Sequence, residues 1–130
     1  CCIYSTSPFL QIEDLRSSKK LLDKLNANFC FPVTEFPSLV QRALTRDEQG
    51  KLHPLYPEYE LTRTQDIKAA YYDVGQFYWG RTDAWMNNPK LHSQGIGYII
   101  PSWRVIDIDN LDDWKRAELL FHSFKGDLNE

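Results

Sequence analysis

Between Trp103 and Phe124 the spacing of apolar residues changes period. WRVIDID, from Trp103 to Asp109, reads as a strand, its apolar and polar side chains alternating from Ile106 to Asp109. Beyond it, Leu111, Trp114, Ala117, Leu120 and Phe121 recur at three- and four-residue steps, the period of an amphipathic helix. Asn110 stands between the two patterns as an N-cap. Asp112 and Asp113 follow it in the first turn, where the helix dipole favours anions. The chain opens with the same order. CCIYSTSPFL reads as a buried strand stopped at Ser7-Pro8, and IEDLRSSKKLLDKLNA as a helix with Ile12, Leu15, Leu22 and Leu25 on its apolar side.

The middle reads differently. NFCFPVTEF is a short strand. SLVQRALTR and KLHPLYPEY are strand-like runs joined by DEQG, which predicts a hairpin whose loop ends in glycine. ELTRTQDIKAA fits no single period. YYDVGQFYWG is aromatic and β-prone, with Gly75 marking a close backbone approach. RTDAWMNN predicts a short helix capped by Thr82 or Asp83, and GIGYIIP a further strand. Strands alternating with helices at both ends, around a central antiparallel hairpin, predict an α/β sheet with an inserted β-ribbon. The 130 residues fit one domain, residues 1–130, with the ribbon over 39–60.

Charge and composition exclude several classes. Fifteen basic and eighteen acidic residues leave a net charge of −3, without the basic stripe a nucleic-acid surface needs. Hydrophobic residues make up 42%, enough for a packed core. No run approaches the roughly 18 apolar residues of a membrane span, and no signal peptide is visible. Cys1, Cys2 and Cys30 have no metal spacing, and adjacent cysteines on a strand face opposite ways. They read as three reduced, mostly buried thiols of a cytoplasmic protein. His53, His92 and His122 show no ligand spacing either, and read as loop or surface residues.

The acidic stretch carries the chemistry. Along a strand, residues two apart face the same way, so Asp107 and Asp109 present two carboxylates to one point. At the carboxyl end of a strand in an α/β sheet, that point is a ligand crevice. Two hard oxygen ligands with open positions suit Mg²⁺, which keeps waters and takes further ligands from phosphates. The competing reading is that Asp109 and Asn110 only start a helix. A carboxylate at Asp107 inside an apolar strand argues against it, because burial without a partner is costly. D-x-D alone is a short motif.

Five segments together carry a resemblance. IYSTSPFL, FPVTEFPSLVQRAL, YPEYELTRTQD, YYDVGQFYWG and VIDIDNLDDWKRAELLF occur in this order in the cytidylyltransferases that activate nonulosonic acids. The chain resembles most the pseudaminic acid branch, and more distantly the CMP-sialic acid synthetases. The resemblance implies a Rossmann-like nucleotide-diphospho-sugar transferase fold with a dimerisation ribbon, here incomplete. It implies transfer of CMP from CTP to a nine-carbon acidic sugar with release of pyrophosphate. Mg²⁺, with Mn²⁺ as an alternative, would be held by Asp107 and Asp109. Thr6 and Ser7 match the TSP turn beside nucleotide and sugar. Arg63 and Gln65 lie in the segment that approaches the sugar, where a guanidinium suits a carboxylate. Gln76, Phe77 and Tyr78 match the positions with which the family lines its sugar pocket, although aromatics at this density are more often core, so Phe77 and Trp79 are read as packing.

Tyr4 stands where the sialic acid enzymes have glutamine, and Leu10 where they have arginine. Both departures fit the pseudaminic branch better than a sialic or legionaminic acid synthetase. The family's N-terminal loop rich in Gly, Ser, Lys and Arg, which holds the CTP phosphates, has no match here. The expectation is therefore a C-terminal portion, inactive alone, and a homodimer through the ribbon. The alternative is a non-catalytic interaction module whose aspartates only cap a helix.

Overall fold

The computed structural model describes residues 1–87 and 90–127, the last three as helical backbone only. In chain order the elements are β1 (Cys2–Ile3), α1 (Ile12–Lys24), β2 (Phe29–Glu35), β3 (Leu44–Arg46), β4 (Leu52–Pro54) and β5 (Tyr71–Asp73). Then follow β6 (Phe77–Gly80), α2 (Thr82–Asn87), α3 (Leu91–Gln94), β7 (Gly95–Ile99) and α4 (Leu111–Asp127). The fold is mixed α/β. It divides into two compact units, Glu35–Tyr72 and the remainder on either side of it.

In the larger unit β2 lies between two partners. It runs antiparallel to β6, with Cys30 opposite Trp79, and parallel to β7, with Phe31 opposite Gly97. β1 pairs antiparallel with the far side of β6, Ile3 opposite Phe77. A strand paired on both edges and covered on both faces reads as a continuous apolar run. Phe29, Cys30, Phe31 and Pro32 are accordingly all buried. Pro32 has no N–H to donate, but its carbonyl accepts the Val74 amide at 3.1 Å. Gly75 follows with φ +70° and nothing within 4 Å of a Cβ built there, so a left-handed turn, not a close approach, selects glycine.

α1 buries only part of the stripe its apolar residues suggest: Leu22 is buried and Leu15 half-buried, but two polar residues join them. Asp14, Ser18 and Leu22 face inward, while Ile12 is 68% and Leu25 56% exposed. The stripe turns because Asp14 has a buried cationic partner. Arg104 donates to both its oxygens, Nη1 to Oδ2 at 2.5 Å and Nη2 to Oδ1 at 3.2 Å. The Ser18 hydroxyl donates to the Asp14 carbonyl at 2.6 Å, and the Trp79 indole donates to the Leu15 carbonyl at 3.1 Å.

The expected strand Trp103–Asp109 is not a strand. Ser102–Arg104 form a 3₁₀ turn, and residues 105–108 run extended without a ladder partner. The period of two survives. Ile106 is buried and Ile108 half-buried, whereas Asp107 and Asp109 are exposed. The inward residues pack on a helix instead of a sheet. Phe9, Ile106 and Ala117 form a small core, with Ile108, Leu120 and Phe124 against it. Asp107 is therefore not a carboxylate inside an apolar strand. β1, expected to be a buried strand, is two exposed residues, and Cys1 and Cys2 are exposed thiols; of the three cysteines only Cys30 is buried.

α4 starts where the sequence predicts. The Asn110 side-chain oxygen accepts the amides of Asp112 and Asp113 at 2.9 and 3.0 Å, and the Asp113 carboxylate accepts the Asn110 amide at 3.2 Å. This is a reciprocal capping box. Asn110→Ala is expected to lower stability by about 1 kcal/mol, read from the urea midpoint. Of the expected apolar face only Ala117 is buried; Leu111 is 80% and Trp114 54% exposed.

Burial pushes the Cys30 thiol up to about 11. In the folded chain a thiol reagent at pH 8 should therefore modify Cys1 and Cys2 rapidly and spare Cys30. Mass spectrometry of the labelled peptides would show it, and rapid labelling of Cys30 in the folded chain would contradict it.

The smaller unit holds the expected hairpin. β3 and β4 pair antiparallel, Thr45 opposite His53, as two three-residue strands flanked by 3₁₀ turns at Val40–Arg42 and Pro57–Tyr59. Asp47 organises the loop by accepting the amides of Lys51 at 2.8 Å and Gln49 at 3.1 Å, with His53 Nε2 at 3.2 Å. These bonds, the Lys51 amide first, hold its carboxyl below the usual range. No helix among the described residues is long and apolar enough to cross a membrane.

Candidate functional site

The larger unit carries a cleft of about 550 Å³. Cys2 and Tyr4 enter it from β1 and the residue after that strand, Asp73 from the end of β5, Tyr78 from β6 and Trp85 from α2. Lys90, Leu91, His92 and Ser93 complete it at the start of α3. Asp73 is the hub of one wall. Its Oδ1 accepts the Gly75 amide at 2.9 Å. Its Oδ2 accepts the Tyr78 hydroxyl at 3.0 Å and lies 2.8 Å from His92 Nε2. An ionised carboxylate only accepts, so His92 carries its hydrogen on Nε2. Desolvation, then the negative charge of Asp73, pushes the Tyr78 phenol well above its ordinary value, so it stays a neutral hydroxyl. The Tyr4 and Tyr78 rings lie 5.3 Å apart. Aromatic faces with a few convergent polar groups suit a polar organic ligand.

Of the sequence-predicted residues, only Tyr78 lines this cleft. Thr6 is exposed in the turn after β1. Ser7 and Gln76 are structural links instead of cleft walls. The Ser7 hydroxyl donates to the Gln76 carbonyl at 3.1 Å, and Gln76, 1% exposed, donates from Nε2 to the Arg104 carbonyl at 3.3 Å. The Gln76 Oε1 has no partner among the described residues. Phe77 is fully buried, as packing requires. Arg63 and Gln65 belong to the smaller unit, where Arg63 Nε donates to Asp66 at 2.8 Å on the surface.

Asp107 and Asp109 project from the extended segment just before α4. Neither carboxylate takes part in a hydrogen bond or ion pair among the described residues. No group of three or more His, Cys, Asp or Glu that could hold a metal ion occurs among the described residues. Two unengaged carboxylates on one side of an extended segment still fit a hard cation that keeps waters of its own.

The Asp73–His92 pair escapes sequence reading, because the two lie 19 residues apart and in different elements. Only Asp73 has a local signal, an acidic side chain two residues before a turn glycine.

No family model matches the chain. Among curated proteins, it is 32% identical over 124 residues to the pseudaminic acid cytidylyltransferase of Campylobacter jejuni subsp. jejuni serotype O:2, and equally to that of serotype O:23/36. A Helicobacter pylori protein is 30% identical over 127 residues; its name joins that activity to UDP-2,4-diacetamido-2,4,6-trideoxy-beta-L-altropyranose hydrolase. These matches cover 93–96% of the chain. The chain spans 53% of each Campylobacter protein and 24% of the Helicobacter one. Along nearly its whole length, this chain is similar to about half the length of each Campylobacter jejuni pseudaminic acid cytidylyltransferase.

Proposed function

We propose that these residues form part of a cytidylyltransferase that acts on pseudaminic acid. The sugar's anomeric hydroxyl loses its proton and attacks the α-phosphorus of CTP, the α–β phosphoanhydride bond breaks, and CMP-sugar and pyrophosphate result. The observation that carries this reading is the identity to enzymes so named along 124 residues. Asp107 and Asp109 would hold Mg²⁺ or Mn²⁺, which when bound offsets negative charge on the triphosphate. Their exposure and lack of partners support that role. The cleft around Tyr78 would take the sugar, with Thr6 and Ser7 keeping the adjoining turn in place. Arg63, in the smaller unit, would bind a carboxylate only by exchanging Asp66, an exposed pair worth little by itself. The fold would be Rossmann-like, the hairpin a homodimer contact and the setting cytoplasmic. The CTP phosphates would be held by residues other than these 130.

The test is pyrophosphate release from CTP and Mg²⁺ with pseudaminic, sialic and legionaminic acids. It compares this chain alone with this chain joined to the part of the Campylobacter jejuni enzyme that it does not match. Turnover is expected only from the joined protein, and fastest with pseudaminic acid. A folded joined protein inert with all three acids would refute the reading. Robust turnover by the 130 residues alone would refute the statement about the phosphates.

A further inference from the structure

We propose that Asp73 is a positioning residue for the cleft's ligand. It orients His92 and Tyr78 so that the wall presents hydrogen-bond acceptors, and the wall thereby selects the hydroxyl and amide N–H donors of an acidic sugar over a phosphate. The proposal rests on reading the cleft as the sugar side of the transfer.

The polarity follows from counting donors. Three of them converge on the Asp73 carboxylate: the Gly75 amide, the Tyr78 hydroxyl and His92 Nε2. The phenol's only hydrogen is used there, so towards a ligand Tyr78 offers only lone pairs. With Nε2 committed to Asp73, the imidazole in its neutral form leaves Nδ1 as an acceptor. The edge contact with Phe31, ring centroids 5.4 Å apart at 83°, restrains the imidazole from a second side. His92 is nonetheless mostly exposed, its side chain 72% accessible, so the ring is held without being covered. Two acceptors on side chains held by one carboxylate oxygen match the hydroxyl and amide donors of a sugar. They repel phosphate oxygens, which are acceptors only. Three of the roughly four acceptor sites of the Asp73 carboxylate are taken by these donors, so its main part is to hold Tyr78 and His92.

The test uses this chain with ¹⁵N-labelled histidine. Long-range ¹H–¹⁵N spectra report which ring nitrogen carries the hydrogen. They are recorded during titration with pseudaminic acid and, separately, with CTP. The expected result is a His92 protonated at Nε2 whose Nδ1 resonance moves with the sugar and not with CTP. His92→Phe, at an exposed site, should raise the Kd for the sugar about tenfold, and His92→Gln, which restores an amide donor and an acceptor, should recover part of it. Asp73→Asn keeps the Oδ1 acceptor for Gly75 but turns N–H donors towards Tyr78 and His92, and should weaken sugar binding to a similar degree. An Nδ1 that does not move, a His92→Phe Kd within about twofold of the parent, or an equal response to CTP would overturn the proposal. If the sugar leaves the parent spectrum unchanged while the joined protein turns over, the proposal alone fails. If neither occurs, the cytidylyltransferase reading fails with it.

Discussion

Arg104→Ala is expected to destabilise the larger unit by about 3–5 kcal/mol, because it leaves the Asp14 carboxylate buried without its cation. Both side chains are almost fully enclosed, at 8% and 6% exposure, so solvent does little to screen the loss. In a chain of this size the melting temperature should fall by roughly 10 °C or more. The control is the double replacement Asp14→Leu with Arg104→Met. Removing both charges removes the desolvation penalty as well as the attraction, and should recover most of the stability. Urea unfolding of the parent, the single variant and the double variant checks it. A single variant costing less than about 1 kcal/mol would mean that water reaches the pair. The effect should extend to function. Arg104 ends the 3₁₀ turn from which the segment with Asp107 and Asp109 departs, and its carbonyl holds Gln76. Losing its anchor on α1 frees the segment that carries both carboxylates.

Replacing Asp107 and Asp109 together with alanine should have the opposite signature. Both are exposed and without partners among the described residues, so the melting temperature should stay within a degree or two. Turnover by the joined protein should fall about a thousandfold or more, the loss expected when a cation that stabilises several kcal/mol of transition-state charge is no longer held. Relaxation enhancement by Mn²⁺ reports the binding directly and should vanish with the two carboxylates. The neighbouring acids provide the contrast. Asp112 makes only an exposed 3.3 Å contact with Lys115, so Asp112→Ala should alter neither readout. Asp113→Ala should weaken the start of α4 and leave Mn²⁺ binding intact, because Asp113 serves the helix cap. Unchanged Mn²⁺ binding in the double variant would remove the metal assignment altogether.

What could be read in advance is uneven, for physical reasons. The start of α4 was legible because a cap is a local contract: Asn110 and Asp113 satisfy amides within four residues of themselves. The hairpin was legible for the same reason, since its loop is tied by Asp47 to amides two and four residues on. Periodicity served less well. The alternation from Ile106 to Asp109 was legible, and Asp107 and Asp109 do share the exposed side, but Asp107 was expected inside an apolar strand and lies outside it. The alternation could not say that the inward pair would meet Phe9 and α4 instead of neighbouring strands, because a period of two records burial and not pairing. The apolar stripe of α1 went partly astray because hydrophobicity treats an aspartate as outward, and only the arrival of Arg104 from 90 residues away makes Asp14 an inward residue. Gln76 was expected in the sugar pocket; that it is buried instead, with its Nε2 on the Arg104 carbonyl, depended on the same long-range anchor.

The sequence by itself determined the central hairpin, the cap of α4 and the placing of Asp107 and Asp109 on one side of an alternating segment. Each of these depends on interactions within a few residues, or on identity alone. The tertiary structure decided which side chains meet: Asp14 with Arg104, Ser7 with Gln76, and Asp73 with Tyr78 and His92. Those meetings join elements whose separation along the chain carries no periodic trace. A buried ion pair and a polarised cleft wall exist only once the sheet has brought their halves together.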